Sequence, residues 1–459
     1  MRIEATAATR THAPSDNLTT RIRVLTAEAP ATELFLRPTG SGWTPVTVAE
    51  FDELITKVGK GLIARGVQPG SRIALMSPTR YEWAVLDYAN WAVGGSTVAV
   101  YESNSAAQVE HILTDSASIA LITNNRETAD RVASGVPAGV GVWVIDDGLI
   151  DELIAEGAAV SDADYADRIA GVTAESEATL VYTSGTTGKP KGVVLTHDNL
   201  LSEYDAIHDG LDKMAGKNAS TVMFLPLAHI FARAISVAAV QHSIRVAHTA
   251  DLSNLTGLFA ELKPTYILSV PRVFEKVYNT MSAKAEEGGK GKIFGAAVDT
   301  AIEFSKAQDT GGAGLVLRLK HTLFDKLVYS KLREALGGNC TCAVSGGARW
   351  ARASVTSSAA PASPCTRATA CPRPARRSPA TPPPSRRSAP SGGRSRATRS
   401  RSPTTARSCC AVPSCSAVIG DYPRRTPRRC RTAGSTRATW ARSTRRATSR
   451  SRAARRRSW

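Results

Sequence analysis

After Ala348 the chain stops using leucine. Its last 111 residues contain no Leu, Phe, Lys or His and one Ile, Ile419, and are written mostly in Arg, Ala, Ser, Thr and Pro. A segment with so little apolar surface cannot offset the conformational entropy lost on folding, so residues 349–459 are expected to be largely disordered. Any hydrophobic core must come from the residues before the break. The expected organisation is an N-terminal arm over residues 1–30, a folded body over 31–348 and the tail over 349–459.

Charge divides at the same place. The whole chain carries +18 at neutral pH, a balance that taken alone suggests nucleic acid or an anionic membrane as partner. The tail holds 27 Arg and one acid, Asp421, for a net +26, which leaves the body at −8. The body therefore gives no electrostatic reason to expect a specific nucleic acid. All eight Cys lie at or beyond Cys340, so no disulfide framework supports the body, as suits a reducing compartment. The N-terminal "MRIEATAATRTHAPSD" lacks the apolar centre of a signal peptide, and no apolar run is long enough to span a bilayer, so the expected setting is cytoplasmic.

Within the body, strand-like and helix-like runs alternate. "TVAEFDELITKVGKGLIARG" places Phe51, Leu54, Ile55, Val58 and Leu62 on one helical face, with Thr47 and Glu50 set as a capping box and Gly66 as a stop. "RIALMS", "STVAVY" and "IALIT" are short β-rich runs, and the intervening "RYEWAVLDYANWAVGG" and "AAQVEHILTDS" read as helices. This spacing predicts an α/β fold with mostly parallel sheet covered on both faces. A second alternating stretch, from about Thr179 to Ser345, predicts a second α/β layer in the same large domain.

"ATLVYTSGTTGKPKGVVLTH", Ala178 to His197, carries the chemistry. A β-rich strand runs into Thr183, Ser184, Gly185, Thr186, Thr187, Gly188, Lys189, Pro190, Lys191 and Gly192, and a second β-rich run follows. Glycines let the backbone turn tightly and bring N–H groups against phosphate oxygens; hydroxyls add donors and lysines add positive charge. A shorter match would be an ordinary polar turn with exposed lysines, but over this length and in this strand context the reading is a nucleotide-phosphate loop. It is not a Walker A loop, because Thr183 stands where that pattern needs its first Gly and Pro190 where it needs Ser or Thr.

"YTSGTTGKPKGVVLTH" resembles the signature of the adenylate-forming superfamily, and "LPLAHIFAR" (Leu225–Arg233) with "SVPRVFEKVY" (Ser269–Tyr278) resembles its long-chain fatty-acid CoA ligases. The resemblance covers roughly Glu33 to Ala348. It implies the large N-terminal domain of that superfamily, with stacked, mostly parallel sheets flanked by helices. It also implies a reaction in which a fatty carboxylate attacks the α-phosphate of ATP with Mg²⁺ present, after which coenzyme A displaces AMP. Fatty acid, ATP and CoA are then the partners, with peripheral membrane contact compatible with an acyl substrate. On this resemblance Thr183 and Lys191 become the candidate catalytic groups, and Thr183 to Lys189 with Lys191 and Gly192 the candidate nucleotide-binding set. His229 would border the acyl entrance, though a histidine satisfied at a strand or helix end reads the same. "VSGGA" would form the turn against which the acyl-adenylate lies, through Gly346, Gly347 and Ala348, although a Gly-Gly pair is more often a plain bend. Arg272, Glu275 and Lys276 read as a solvated helix face.

Past "VSGGA" the resemblance stops. The family continues with a Tyr-Gly-x-Thr-Glu motif whose Glu serves Mg²⁺, a Thr-Gly-Asp motif whose Asp holds the ribose, a Gly-Arg-Lys hinge and a small domain with a catalytic Lys. None is present in the written tail, so no metal ligand can be named in this chain. The tail's alphabet is what GC-rich coding DNA yields out of frame. "CTRATACPRP" (Cys365–Pro374) admits codons that, read one base earlier, spell VYEGYGL, Ser or Pro, then ET. "ARWARASVTS" admits APLGARLGHF once one base is added, and "TAGSTRATWARSTRRATSRSRAARRRSW" admits DGWFHTGDLGEIDEEGYLAITGRKKEL. With roughly one residue in five matching by degeneracy alone, nine in succession would agree about once in a million. The expectation is a single missing base at about codon 349, and a chain as written that binds nucleotide weakly and does not complete thioester formation.

Two other readings stay open at the level of sequence. Another adenylating acid ligase would share the loop, since acyl-chain length depends on pocket shape. Alternatively the arginine tail, with Tyr422 and three Trp as its aromatics, would grip nucleic acid or anionic lipid in a salt-sensitive, sequence-blind way.

Overall fold

The computed structural model describes residues 12–40, 42–183, 189–205, 218–309 and 312–345, together with the backbone of 365–367. Its strands are β1 Glu33–Thr39, β2 Gly42–Thr47, β3 Arg72–Met76, β4 Ser96–Val100, β5 Ala120–Thr123, β6 Gly141–Val144, β7 Glu177–Thr183, β8 Lys191–Thr196, β9 Ser220–Met223, β10 Arg245–His248, β11 Tyr266–Ser269, β12 Cys342–Ser345 and β13 Cys365–Arg367. They form sheets of order β6-β5-β3-β4-β7-β8, β2-β1-β10-β9 and β11-β12-β13. Pairing is parallel except at β1–β2 and β7–β8, so the expected mixed α/β class with mostly parallel sheets holds. The strands of the second alternating stretch are shared among the three sheets: β7 and β8 complete the six-stranded sheet, β9 and β10 join β1 and β2, and β11 and β12 belong to the third.

The helices obey the local rules that the sequence displays. In Val48–Ala64 the Thr47 side chain accepts from the Glu50 amide and the Glu50 carboxylate accepts from the Thr47 amide, closing the capping box. Beyond it Gly66 sits at φ +86°, a left-handed conformation that glycine takes without penalty. Phe51, Ile55, Val58 and Leu62 are buried and Leu54 partly so. Each full burial is worth about 1.5–3 kcal/mol in transfer free energy, which is what orients the helix.

Helix Tyr81–Ala92 departs from this one-sided pattern, for every residue except Glu82 is buried. A helix apolar on all sides is one covered on all sides. Trp83 and Trp91 are among the largest fully buried side chains, in a core that draws together residues from the six-stranded and four-stranded sheets. Helix Thr20–Glu28 reaches the same core through Ile22 and Leu25, with Leu18 just ahead of it.

Helices Val48–Ala64 and Leu149–Gly157 cross at a pair of glycines. A Cβ built on Gly61 would lie 2.0 Å from the Leu153 carbonyl oxygen, and one on Gly157 would lie 2.6 Å from the Gly61 nitrogen. Only hydrogen at both positions allows the two backbones to approach this closely.

Strand β13 falls inside the segment expected to be largely disordered. It pairs parallel with β12, Ala343 opposite Cys365 and Ser345 opposite Arg367. Main-chain hydrogen bonding asks for no particular side chain, so even a Cys-Thr-Arg run can extend a sheet edge. The rest of the tail lies outside the described residues.

Candidate functional site

The phosphate-loop motif occupies the connection between β7 and β8. Strand β7 pairs in parallel with β4 and antiparallel with β8, and its ladder with β8 ends with Thr183 opposite Lys191. The loop therefore leaves the carboxyl end of a parallel strand, which is where open α/β sheets present their ligand sites. Thr183, Lys189 and Lys191 are exposed there and Gly192 is half-buried. Ser184, Gly185, Thr186, Thr187 and Gly188 lie outside the described residues, as do Gly346, Gly347 and Ala348 beyond the end of β12.

The strands beneath the loop are firmly tied. Opposite Gly192, the Tyr182 ring lies across the hairpin; a Cβ on Gly192 would sit 3.0 Å from its Cζ. The Tyr182 hydroxyl donates to Asp115 Oδ2 at 2.7 Å, and burial holds its pKa above the ordinary phenol value. Thr179 Oγ1 donates to the Thr97 carbonyl at 2.7 Å, and Trp91 Nε1 donates to the Ala178 carbonyl at 2.7 Å. His197, which closes the motif, is fully buried; its Nδ1 accepts from the Leu18 amide at 3.2 Å, and desolvation lowers its pKa to about 4. The Nδ1 acceptor fixes His197 as neutral, with its proton on Nε2.

His229, the candidate on the acyl side, leaves the four-stranded sheet rather than the six-stranded one. It follows β9 and caps helix Ile230–Gln241, its Nδ1 accepting from the Phe231 amide at 3.2 Å. The residue is exposed overall, while desolvation of the ring lowers its pKa. The helix-end reading of His229 is thus the one its contacts display, and the residue remains exposed.

One turn along, Arg233 is buried and its Nη2 donates to Asp87 Oδ1 at 2.6 Å. Its guanidinium lies over the Trp91 ring, 5.5 Å from the centroid. Burial raises the Asp87 pKa, with the Arg233 charge opposing that rise. Helix Tyr81–Ala92 therefore touches β7 through Trp91 and the His229 helix through Asp87. Thr79 adds a further tie, its Oγ1 donating to the Leu225 carbonyl at 2.7 Å.

Sequence and structure comparisons bear on this arrangement. The family described as AMP-binding enzyme matches residues 25–368. The chain belongs to the AMP-binding enzyme family. It is 48% identical over 312 residues to long-chain-fatty-acid–CoA ligase FadD15 of Mycobacterium bovis, a match that covers 67% of this chain and 52% of that protein. FadD15 of Mycobacterium tuberculosis gives the same figures, and the peroxisomal long chain acyl-CoA synthetase 7 of Arabidopsis thaliana is 29% identical over 306 residues, 61% of this chain and 41% of that protein. The chain thus spans about half the length of the curated relatives it matches. Among solved structures, the N-terminal domain of FACL13 from Mycobacterium tuberculosis superposes with a TM-score of 0.55 at 17% identity, covering 78% of this chain and 76% of that one. The long-chain-fatty-acid-CoA ligase FadD1 of Archaeoglobus fulgidus gives 0.55 at 17% identity, covering 78% and 64%. These structural likenesses establish the AMP-binding enzyme fold.

Several residues that shape the site had no signal in the sequence. Asp87 and Trp91 lie in an apolar helical run, and Tyr182 reads as one more β-former; their partners come from segments far along the chain. Arg233 closes the "LPLAHIFAR" stretch, where nothing in the neighbouring residues marks a role for it. Only the tertiary fold shows that it is a core cation.

Proposed function

We propose that this AMP-binding enzyme chain carries the nucleotide-binding part of a cytoplasmic long-chain fatty-acid CoA ligase. The observation that carries the reading is the Thr183–Lys191 pair at the carboxyl edge of the parallel sheet, with a Gly/Thr/Ser loop strung between them. In the first step a fatty carboxylate oxygen bonds to the α-phosphorus of ATP and the bond to pyrophosphate breaks. In the second the coenzyme A sulfur attacks the acyl carbon, AMP leaves and the thiol proton passes to solvent. The Thr183 hydroxyl and the loop amides would hold phosphate oxygens, and the Lys189 and Lys191 ammonium groups would offset polyphosphate charge. His229 and the Gly346–Ala348 turn would border the acyl group. Among the described residues no group of three or more His, Cys, Asp or Glu could hold a metal ion, so no residue is assigned to the Mg²⁺ that accompanies ATP.

We propose further that residues 349–459 are the remainder of the enzyme read out of frame. The FadD15 relatives match two thirds of this chain, and codons permitted by the tail admit the family's later motifs in the shifted frame, in order. Resequencing that finds no missing base relative to an intact related gene would refute this. The experiment for the function is pyrophosphate exchange by the frame-restored protein over a panel of acids. Exchange strongest with long-chain acids and abolished by Lys191→Ala is expected; exchange only with short or aryl acids would move the substrate assignment. The chain as written is expected to form no palmitoyl-CoA, and its formation would overturn that expectation.

A peripheral membrane contact belongs to the same reading. Among the described residues no helix is long and apolar enough to cross a membrane. Helix Leu315–Phe324, however, exposes Leu315, Val316, Leu319 and Leu323 beside Arg318 and Lys320 and contains no acid, the composition of a helix that lies on an anionic bilayer. Loss of salt-resistant co-sedimentation with anionic vesicles in Leu319→Glu/Leu323→Glu would support it, and unchanged co-sedimentation would remove it.

A further inference from the structure

Helix Ala106–Ser116 lies outside every motif that the nucleotide reading uses, yet one of its faces holds strand β7 at Tyr182 and the residue just ahead of β8, Pro190. The helix starts from a capping box: the Ser105 side chain accepts from the Gln108 amide at 3.4 Å, and the Gln108 side chain accepts from the Ser105 amide at 2.8 Å. From that fixed start, His111 Nε2 reaches the Pro190 carbonyl at 2.8 Å. A carbonyl only accepts, so Nε2 carries the proton and donates. The same imidazole stands edge-on to Tyr182, with ring centroids 6.2 Å apart and planes at 80°. Four residues along, Asp115 accepts from the Tyr182 hydroxyl. Residues four apart share a helix face, so His111 and Asp115 act on the hairpin together.

The two points they hold flank the loop. Tyr182 immediately precedes Thr183, and Pro190 stands between Lys189 and Lys191. Proline has no N–H, so its carbonyl is the one main-chain group by which this residue can be fixed by hydrogen bonding. We propose that His111 is a positioning residue for the phosphate loop. By holding the Pro190 carbonyl it sets the backbone between the two lysines, so that their ammonium groups meet the polyphosphate of a nucleoside triphosphate without first being ordered. This rests on the nucleotide reading given above.

The test uses the full 459-residue chain, His111→Ala and His111→Gln, whose side-chain amide keeps a donor at a similar reach. Trypsin cleaves after Lys191 but not after Lys189, which precedes proline, so the rate of cutting at Lys191–Gly192, followed by mass spectrometry without nucleotide, reports how firmly the hairpin is held. Cleavage several-fold faster in His111→Ala, near wild type in His111→Gln, with other internal sites of the body cut at unchanged rates, is the expected result. Wild-type cleavage in His111→Ala overturns the proposal, as does faster cleavage at every site or failure of glutamine to restore protection. Titration with Mg-ATP in parallel should show affinity several-fold weaker in His111→Ala and recovered in His111→Gln. The expected cleavage pattern, together with no ATP affinity in either the written or the frame-restored wild-type chain, would keep the clamp on the hairpin and remove the nucleotide reading on which its purpose rests.

Discussion

Arg233 and Asp87 form an ion pair in the core, at 1% and 6% side-chain exposure, across the boundary between the helix that follows His229 and the helix that braces β7. Two Arg233 donors, Nε and Nη1, are buried without a hydrogen-bond partner. A pair held this incompletely is a poor source of net stability, because the desolvation of both charges offsets their attraction. Its value lies in specifying which helix faces which.

Removing one partner should therefore be far worse than removing both. Arg233→Met leaves Asp87 buried and unpaired and is expected to cost about 3–5 kcal/mol. Asp87→Leu combined with Arg233→Met should recover most of that loss. Urea unfolding of the single and double variants measures both, and strict additivity would contradict the pairing argument.

The glycine crossing of the first body helix makes a second expectation. Gly61→Ala drives a methyl into the Leu153 carbonyl, a backbone atom that cannot rotate away. A loss of about 1–3 kcal/mol or more is expected from overpacking, against the gain of about 1 kcal/mol that Gly→Ala brings in an exposed helix. A melting temperature equal to or above wild type would show that the helices separate more easily than their packing implies.

Acid should unfold the body through its buried histidines. His197 and His248 are both lowered by desolvation to about 4 from an ordinary 6.5. The unfolded chain therefore binds protons first as pH falls: the stability these groups contribute is intact above pH 6.5, declines between 6.5 and about 4, and is gone below. Each shift corresponds to about 3 kcal/mol as an upper figure. His197→Gln, which keeps an acceptor for the Leu18 amide, should flatten the decline; an unchanged profile of stability against pH would place the acid sensitivity elsewhere.

At the hairpin, Gly192→Ala should destabilise by about 1–3 kcal/mol because its methyl meets the Tyr182 ring. Adding Tyr182→Ala removes the obstacle, so the double variant should be less impaired than the sum of the two singles. Thermal melts of the four proteins decide it.

The layered α/β architecture was legible because it rests on local signals. The capping box at Thr47 and Glu50, the buried face Phe51, Ile55, Val58 and Leu62, and the β-rich runs of β3, β4 and β5 are all written within a few residues of where they act. The loop motif was legible for the same reason, as a Gly/Thr/Lys string between two β-formers. What supports the motif was not. His111 and Pro190 are 79 residues apart, Asp87 and Arg233 146, and His197 and Leu18 179. No periodicity or spacing marks such partners, since each looks from its own neighbourhood like an ordinary helix or strand residue. The distribution of the later strands over three sheets was equally hidden, because strand alternation carries no information on which strands become neighbours.

The β7–β8 ladder closes at Thr183 and Lys191, where the loop leaves the sheet; it is held within by the Tyr182–Gly192 contact and from behind by Trp91. Folding information and ligand information therefore occupy different residues of one short motif. Buried Tyr182 and half-buried Gly192 answer to the core, whereas the exposed Thr183, Lys189 and Lys191, with the run between them, are the positions that on the proposed reading would answer to a ligand. Over evolutionary time such a division makes the loop an exchangeable cassette: its sequence can drift or be selected toward a new anionic ligand while the hairpin that displays it keeps its place in the sheet.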